Sequence, residues 1–125
     1  MERAAQAAAA RLDREGIAVV ATPRERPEPL RSFEAGERVA EGLARVIRAI
    51  DPAPKAVVAK GGITSAVAAR VGLGGRSALV RGPLVDGVAL WEVDGDGARV
   101  PFVVFPGNVG GDETLLDVVR MIRGA

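Results

Sequence analysis

The sequence contains no cysteine and no histidine among its 125 residues. Disulfides, thiolate nucleophiles, imidazole general bases and the usual zinc sites are therefore excluded, because each of them needs one of these side chains. Tyrosine is also absent, and only three phenylalanines and one tryptophan are present, which argues against recognition of nucleic acid by base stacking. Any chemistry must use carboxylates, lysine, arginine, hydroxyl groups or backbone amides.

Long apolar runs and an excess of one charge are missing as well. No apolar run reaches the roughly 18 residues that a membrane-spanning helix needs, and the alanine-rich N-terminus carries charges throughout, unlike a signal peptide. The 17 basic residues are balanced by 16 acidic ones, so the basic surplus of a nucleic-acid-binding protein is lacking. We therefore expect a cytoplasmic protein that binds neither membranes nor nucleic acids.

The residues that are present describe a globular α/β domain. Hydrophobic residues make up 48% of the chain and charged residues 26%, and the length fits a single domain over residues 1–125. Helices are predicted at 2–15, 33–50, 64–72 and 112–123. Strands are predicted at 17–22, 55–59, 76–82, 87–93 and 99–105.

The pattern of these segments predicts a three-layer α/β/α sandwich with a mixed, partly parallel sheet. The runs "IAVVAT" (17–22) and "KAVVA" (55–59) are rich in β-branched residues, which is typical of strands buried in a parallel sheet. "DGDG" (94–97) between the last two strands indicates a hairpin. Because the chain begins with a helix where a βαβ unit would begin with a strand, we expect an open sheet edge.

The first glycine-rich motif, "AKGGITS" (59–65), lies between a predicted strand and a predicted helix. Ligands of α/β proteins bind beyond the carboxyl ends of strands, and glycines let an anion approach the backbone. Thr64 either caps the helix or donates to a phosphate oxygen, and Lys60 either adds a cation or points into solvent. A tight structural turn explains the same residues, so anion binding is one of two interpretations.

The second motif, "VVFPGNVGGDE" (103–113), repeats the order of strand, glycine-rich loop and helix. Pro106 fixes the entry to the loop, and the Asn108 amide can contact a base, a ribose or its own backbone. A structural loop is again the alternative. The two loops would frame one cleft if both strands ended on the same side of the sheet, which depends on a strand order that the sequence does not give.

The carboxylates do not suggest a catalytic pair. Asp94 and Asp96 fit turn positions, whereas Asp112 and Glu113 fit the first turn of the last helix, where acids are favoured by the helix dipole. A role for this second pair in binding Mg²⁺ is an alternative. We assign no catalytic residue and no protein metal ligand.

Four segments together resemble a known family. "KGGITS", "GLGGR", "PLVDGVALWEV" and "PFVVFPGNVGG" occur in this order, and the set resembles the C-terminal domain of the four-carbon acid sugar kinases. The similarity extends from about residue 17 to the C-terminus. The spacing of the two glycine motifs around Val-Asp-Gly-Val makes the set more specific than either motif alone.

The resemblance implies a function for the two loops. Members of the family use ATP to phosphorylate four-carbon sugar acids such as threonate, erythronate or oxo-tetronate. Their N-terminal domain holds the sugar acid, and their C-terminal domain binds the nucleotide, with which Mg²⁺ is expected. Carried over by position, the implied nucleotide-binding residues are Gly61, Gly62, Ile63 and Thr64 in the first motif and Gly107, Asn108, Val109 and Gly110 in the second.

The chain also departs from the family pattern. It lacks the sugar-acid domain and the first strand and loop of the C-terminal domain, so we expect it to be inactive alone and leave open whether it is an enzyme. Its expected partners are a nucleotide and either a second copy or a complementary N-terminal domain on another chain. The alternative is a non-catalytic remnant or interaction domain that dimerises or docks through an open sheet edge.

Overall fold

The computed structural model describes residues 2–21, 33–95 and 99–123. Its helices are α1 (Glu2–Glu15), α2 (Phe33–Ala49), α3 (Gly62–Val67) and α4 (Thr114–Arg123). A π-helical segment, Ala68–Gly72, continues α3 without a break. The strands are β1 (Val57–Lys60), β2 (Ser77–Val85), β3 (Val88–Asp94) and β4 (Arg99–Phe105).

The described strands form one mixed sheet in the order β1-β4-β3-β2. β1 runs parallel to β4, with Val57 opposite Phe102 and Lys60 opposite Phe105. β3 is antiparallel to both β4 and β2, so the sheet is parallel at one side and antiparallel at the other. The predicted mixed, partly parallel sheet is therefore confirmed.

Helices cover both faces of the sheet. On one face α2, α3 and the π-helical segment enclose a core whose buried residues are Ala59, Ala68, Leu73, Val93 and Phe102. On the other face Val118 of α4 packs among Val88, Val103 and Phe105. α1 packs against α2 through alanines, which allow close approach. This arrangement confirms the predicted three-layer α/β/α sandwich.

The strand predicted at 17–22 is wrong for the residues that the structure describes. Residues 17–21 form no strand, and Val19 is 85% exposed. β-Branched residues favour strands mainly through packing against cross-strand neighbours, and this segment has no neighbouring strand. Residue 22 lies outside the described residues. The expected open edge is present in the described sheet, because β1 pairs only with β4.

The other boundaries differ from the predictions by a few residues. The helix predicted from 64 already begins at Gly62, and the helix predicted from 112 begins at Thr114, so Asp112 and Glu113 lie in the preceding turn and not in the helix. The hairpin predicted at "DGDG" joins β3 and β4, although residues 96–98 lie outside the described part of the chain. Among the described helices, none combines the length and the apolar character needed to cross a membrane.

Candidate functional site

Two glycine loops meet at one edge of the sheet. The first glycine loop (residues 60–64) runs from the last residue of β1 into the first turn of α3, and the second glycine loop (residues 106–111) follows β4. Since β1 and β4 are adjacent and parallel, their carboxyl ends lie side by side. The Gly61 N–H donates a hydrogen bond to the Phe105 carbonyl at 2.8 Å, which ties the two loops together at their origins. The strand order thus places the two motifs beside each other.

Gly61 gives the first loop its shape. Its φ of +109° lies in a region that glycine adopts without strain and that side-chain-bearing residues rarely enter. The chain turns there from β1 directly into α3. The Gly61 N–H is already bonded to Phe105, so this residue shapes the loop and has no free main-chain donor for a ligand.

Ser65 stabilises this turn from the buried side. Its hydroxyl group is buried, donates to the Gly61 carbonyl at 2.6 Å and lies 3.2 Å from the Ala59 carbonyl. The Ser65 N–H also donates to the Gly61 carbonyl, at 2.9 Å. This role of Ser65 was not predicted from the sequence. The signal was a serine four residues after a glycine, a spacing at which a hydroxyl reaches back to a carbonyl one helical turn earlier.

Main-chain N–H groups remain available at the start of α3. The first residues of a helix have no intrahelical acceptor for their N–H groups. Within the described residues, no main-chain hydrogen bond uses the N–H of Gly62, Ile63 or Thr64. No side chain caps this helix start, so the alternative in which Thr64 serves as the cap is wrong for this structure.

The surface above both loops is open. A Cβ atom added at Gly62 or at Gly107 would have no heavy atom within 4 Å. Gly62 and Gly107 are both exposed, as is Asn108. A ligand can therefore reach the backbone of both loops without displacing a side chain.

The second loop is fixed where it joins α4. Gly110 has a φ of +84°, and a Cβ atom there would lie 2.7 Å from Thr114 Cβ. The Gly111 N–H donates to the Thr114 hydroxyl at 2.8 Å, and the Thr114 N–H donates to the Gly111 carbonyl at 3.3 Å. This reciprocal pair sets the start of α4 and positions the loop before it.

Val109 and Asn108 differ in the surfaces they present. The half-buried Val109 side chain packs into the core beneath α4 and against Gly87 of the turn between β2 and β3, where an added Cβ would lie 2.9 Å from Val109 Cγ1. Only its main chain is placed to contact a ligand. The Asn108 side chain is exposed and has no described hydrogen-bond partner in this structure.

Lys60 spans the two loops. Its ammonium group donates to the Gly107 carbonyl at 3.2 Å and lies 5.4 Å from the centre of the Phe105 ring. The side chain is exposed, so the structure leaves both alternatives for this residue in place while giving its ammonium group a partner on the second loop. Within the described residues no ion pair involves Lys60.

The described residues contain no group of three acidic, histidine or cysteine side chains that could hold a metal ion. The site therefore offers main-chain donors, a hydroxyl group at Thr64 and one lysine. This set suits an anionic ligand with several oxygen atoms, since each N–H group can donate to a different oxygen.

Comparisons with known proteins agree with this geometry. A family model described as "Nucleotide-binding C-terminal domain" matches residues 1–115. No curated protein matches the chain.

Two solved structures are similar, both of a protein from Bordetella bronchiseptica described as a domain of unknown function (DUF1537), which is the four-carbon acid sugar kinase family. The sequence identity is 25% and the TM-score 0.66 in both cases. The similarity covers 92% and 96% of this chain but only 29% and 30% of those chains. Both structures are described as domain-swapped dimers with bound citrate. This chain thus spans less than a third of those relatives' length.

Proposed function

Because the chain belongs to the nucleotide-binding C-terminal domain family, we propose that it is the ATP-binding domain of a kinase that phosphorylates four-carbon sugar acids. The observation that carries this proposal is the placement of two glycine loops beyond the carboxyl ends of neighbouring parallel strands. This is the position at which α/β proteins bind nucleotides.

The phosphates lie against the first glycine loop in this proposal. The N–H groups of Gly62, Ile63 and Thr64 donate to phosphate oxygens, because no described main-chain acceptor uses them. The second glycine loop, including Gly107 and Asn108, contacts the nucleotide from the other side. Fixed donors of this kind suit phosphoryl transfer, which depends chiefly on positioning and on electrostatic stabilisation of the transferred group.

Mg²⁺ accompanies the nucleotide in this proposal. Mg²⁺ keeps several water ligands and commonly binds through phosphate oxygens with only one or two carboxylates. The described residues hold no cluster of three potential metal ligands, so phosphate oxygens and water would be the main ligands of the ion. The protein holds the phosphates and thereby the ion.

The acceptor site belongs to a complementary domain in this proposal. The kinase transfers the γ-phosphoryl group of ATP to a hydroxyl group of threonate, erythronate or an oxo-tetronate, and ADP leaves. The chain covers about 30% of the relatives' length. We therefore expect this chain alone to bind ATP without phosphorylating a sugar acid.

Calorimetry with ATP and Mg²⁺ tests this function. We expect a single saturable site, and we expect weaker binding of adenosine because it lacks the phosphates that the first loop holds. Circular dichroism first establishes that the chain is folded. A folded chain that gives no binding heat at millimolar ATP with Mg²⁺ would contradict the proposal.

A second candidate function is that of an interaction domain without catalysis. It is favoured by the unpaired edge of β1 together with the exposed apolar segment at 17–21, in which Val19 is 85% and Val20 38% exposed. An open strand edge and a segment rich in β-branched residues that forms no strand within this chain suit dimerisation by strand addition. The similar structures are described as domain-swapped dimers, which supports a homodimer here.

Light scattering coupled to size-exclusion chromatography tests this second function. We expect a dimer that Val19→Lys converts to a monomer, because a lysine on an added strand opposes pairing. Leu79→Lys is the matched control: Leu79 is 49% exposed on the opposite edge strand, β2. A wild-type chain that stays monomeric across the concentration range would exclude self-association.

A further inference from the structure

Lys60 is the cation at the junction of the two glycine loops. Lys55 is the only other lysine in the chain, and it precedes β1 at the strand's opposite end. The Lys60 ammonium group is held by the Gly107 carbonyl at 3.2 Å and by the face of Phe105, whose ring centre is 5.4 Å away. The side chain therefore leaves the first loop and ends on the second.

The ammonium group lies on the exposed surface, and its described contacts are with neutral partners only. A carbonyl oxygen and an aromatic ring orient a cation without cancelling its charge. The described residues contain no carboxylate paired with Lys60. An ammonium group has three donors, and the described contacts use one of them.

The main-chain N–H groups that follow Lys60 in the chain also have hydrogen-bonding capacity to spare. Gly62, Ile63 and Thr64 have no described main-chain acceptor. A Cβ atom at Gly62 or Gly107 would contact nothing within 4 Å, so space is open beside the ammonium group's own partner. Unused donors, an uncompensated cation and open space thus occur together at one end of the β1–β4 pair.

We propose that Lys60 is the phosphate-recognition residue of the nucleotide site, and that its ammonium group donates to a phosphate oxygen while its bond to Gly107 holds the second loop closed against the first. This inference rests on the proposed nucleotide binding and adds the residue that makes affinity depend on the phosphates. The side chain acts as a point charge directed by the two loops, in the way lysine commonly binds phosphate.

Lys60→Met is the informative variant. Methionine keeps an aliphatic chain over Phe105 and removes the charge, so it separates the electrostatic role from packing. Lys60→Arg keeps the charge, and Lys60→Gln is a second neutral variant should the methionine protein fail to fold. Lys55→Met removes the other lysine and serves as the matched control.

The measurement is calorimetric titration of each variant with adenosine, AMP, ADP and ATP, and with inorganic tripolyphosphate. We expect Lys60→Met to weaken the binding of ATP and of tripolyphosphate about tenfold to a hundredfold, which is the change in affinity expected for the loss of one charged hydrogen bond. Adenosine affinity should change less than twofold, Lys60→Arg should recover most of the ATP affinity, and Lys55→Met should bind like the wild type.

The outcomes separate this inference from the proposed function. ATP bound by Lys60→Met within twofold of the wild type would overturn the role of Lys60 and leave nucleotide binding intact. An equal loss for adenosine and ATP would also overturn it, because it would show that Lys60 only holds the loops. A folded wild-type chain that binds neither ATP nor tripolyphosphate would overturn both proposals together.

Discussion

At the scale of single residues, the two glycines of the first loop have different tasks. Gly61 adopts a φ of +109° and donates its N–H to the Phe105 carbonyl, so its task is to form the turn. Gly62 has an ordinary φ and open space around it, so the absence of a side chain there matters only if something else occupies that space. Gly61 therefore has a structural task, whereas Gly62 leaves room for a ligand to approach the backbone.

Gly62→Ala separates ligand access from stability. The added methyl group contacts nothing in the free protein, so we expect an unfolding free energy unchanged or up to about 1 kcal/mol higher, from the reduced entropy of the unfolded chain. Affinity for ATP should fall about tenfold or more, because the methyl group occupies the approach to the backbone. Calorimetry and urea denaturation measure the two quantities.

Gly42→Ala is the control for that variant. Gly42 lies in α2, and an added Cβ there also has no atom within 4 Å. It should raise stability in the same way and leave ATP affinity unchanged. Equal ATP binding by Gly62→Ala and Gly42→Ala would exclude a ligand from the space above Gly62.

Ser65→Ala tests the residue that fixes the turn. Removing the hydroxyl group takes away the buried donor to the Gly61 carbonyl, and we expect the unfolding free energy to fall by about 1 to 3 kcal/mol. Urea denaturation measures the change. Ser77→Ala, at an exposed position on β2, should change it by less than about 0.5 kcal/mol, and a similar loss for both serines would contradict this role.

At the scale of secondary-structure elements, the sequence predicts whether a segment is a helix or a strand better than it predicts which strands pair. The bounds of α1 and β4 follow from their composition and agree with the structure. The segment at 17–21 carries the same β-branched pattern as β1 but forms no strand, because strand formation requires a neighbour that local sequence cannot supply. The side-by-side placement of the two glycine loops was unpredictable for the same reason, since it depends on β4 pairing with β1.

The junction of the second loop and α4 has no room for an added methyl group at Gly110. Gly110→Ala would place a side chain at a φ of +84° and within 2.7 Å of Thr114 Cβ, so we expect a loss of about 1 to 3 kcal/mol in unfolding free energy. Thermal denaturation measures it. Gly111→Ala, where an added Cβ meets nothing, should be nearly neutral; equal losses would show that the strain lies elsewhere.

At the scale of the whole molecule, both candidate functions use the same two strands. The loops after β1 and β4 form the candidate nucleotide site, and the free side of β1 forms the open edge. Any partner strand on that edge would lie next to the strand that leads into the first glycine loop. Dimerisation and nucleotide binding are therefore expected to affect each other.

Nucleotide binding should stabilise the whole chain. A ligand at about 100 times its Kd adds about 2.7 kcal/mol to the unfolding free energy, which corresponds to a rise in Tm of about 10 °C for a domain of this size. Thermal denaturation with ATP and Mg²⁺ measures this shift, and adenosine at equal concentration should give a smaller one. Equal shifts with both would mean that the phosphates contribute nothing.

The parallel pairing of β1 with β4, which places Val57 opposite Phe102, determines at which stage of folding the candidate site can form. These strands are separated in the chain by α3, the π-helical segment, β2 and β3, and contacts between distant segments are slow to form. The two loops can come together only after β4 has been synthesised and has paired with β1, and we expect this pairing to form late in folding. A nucleotide that binds both loops would then act mainly by slowing unfolding and would leave the folding rate nearly unchanged.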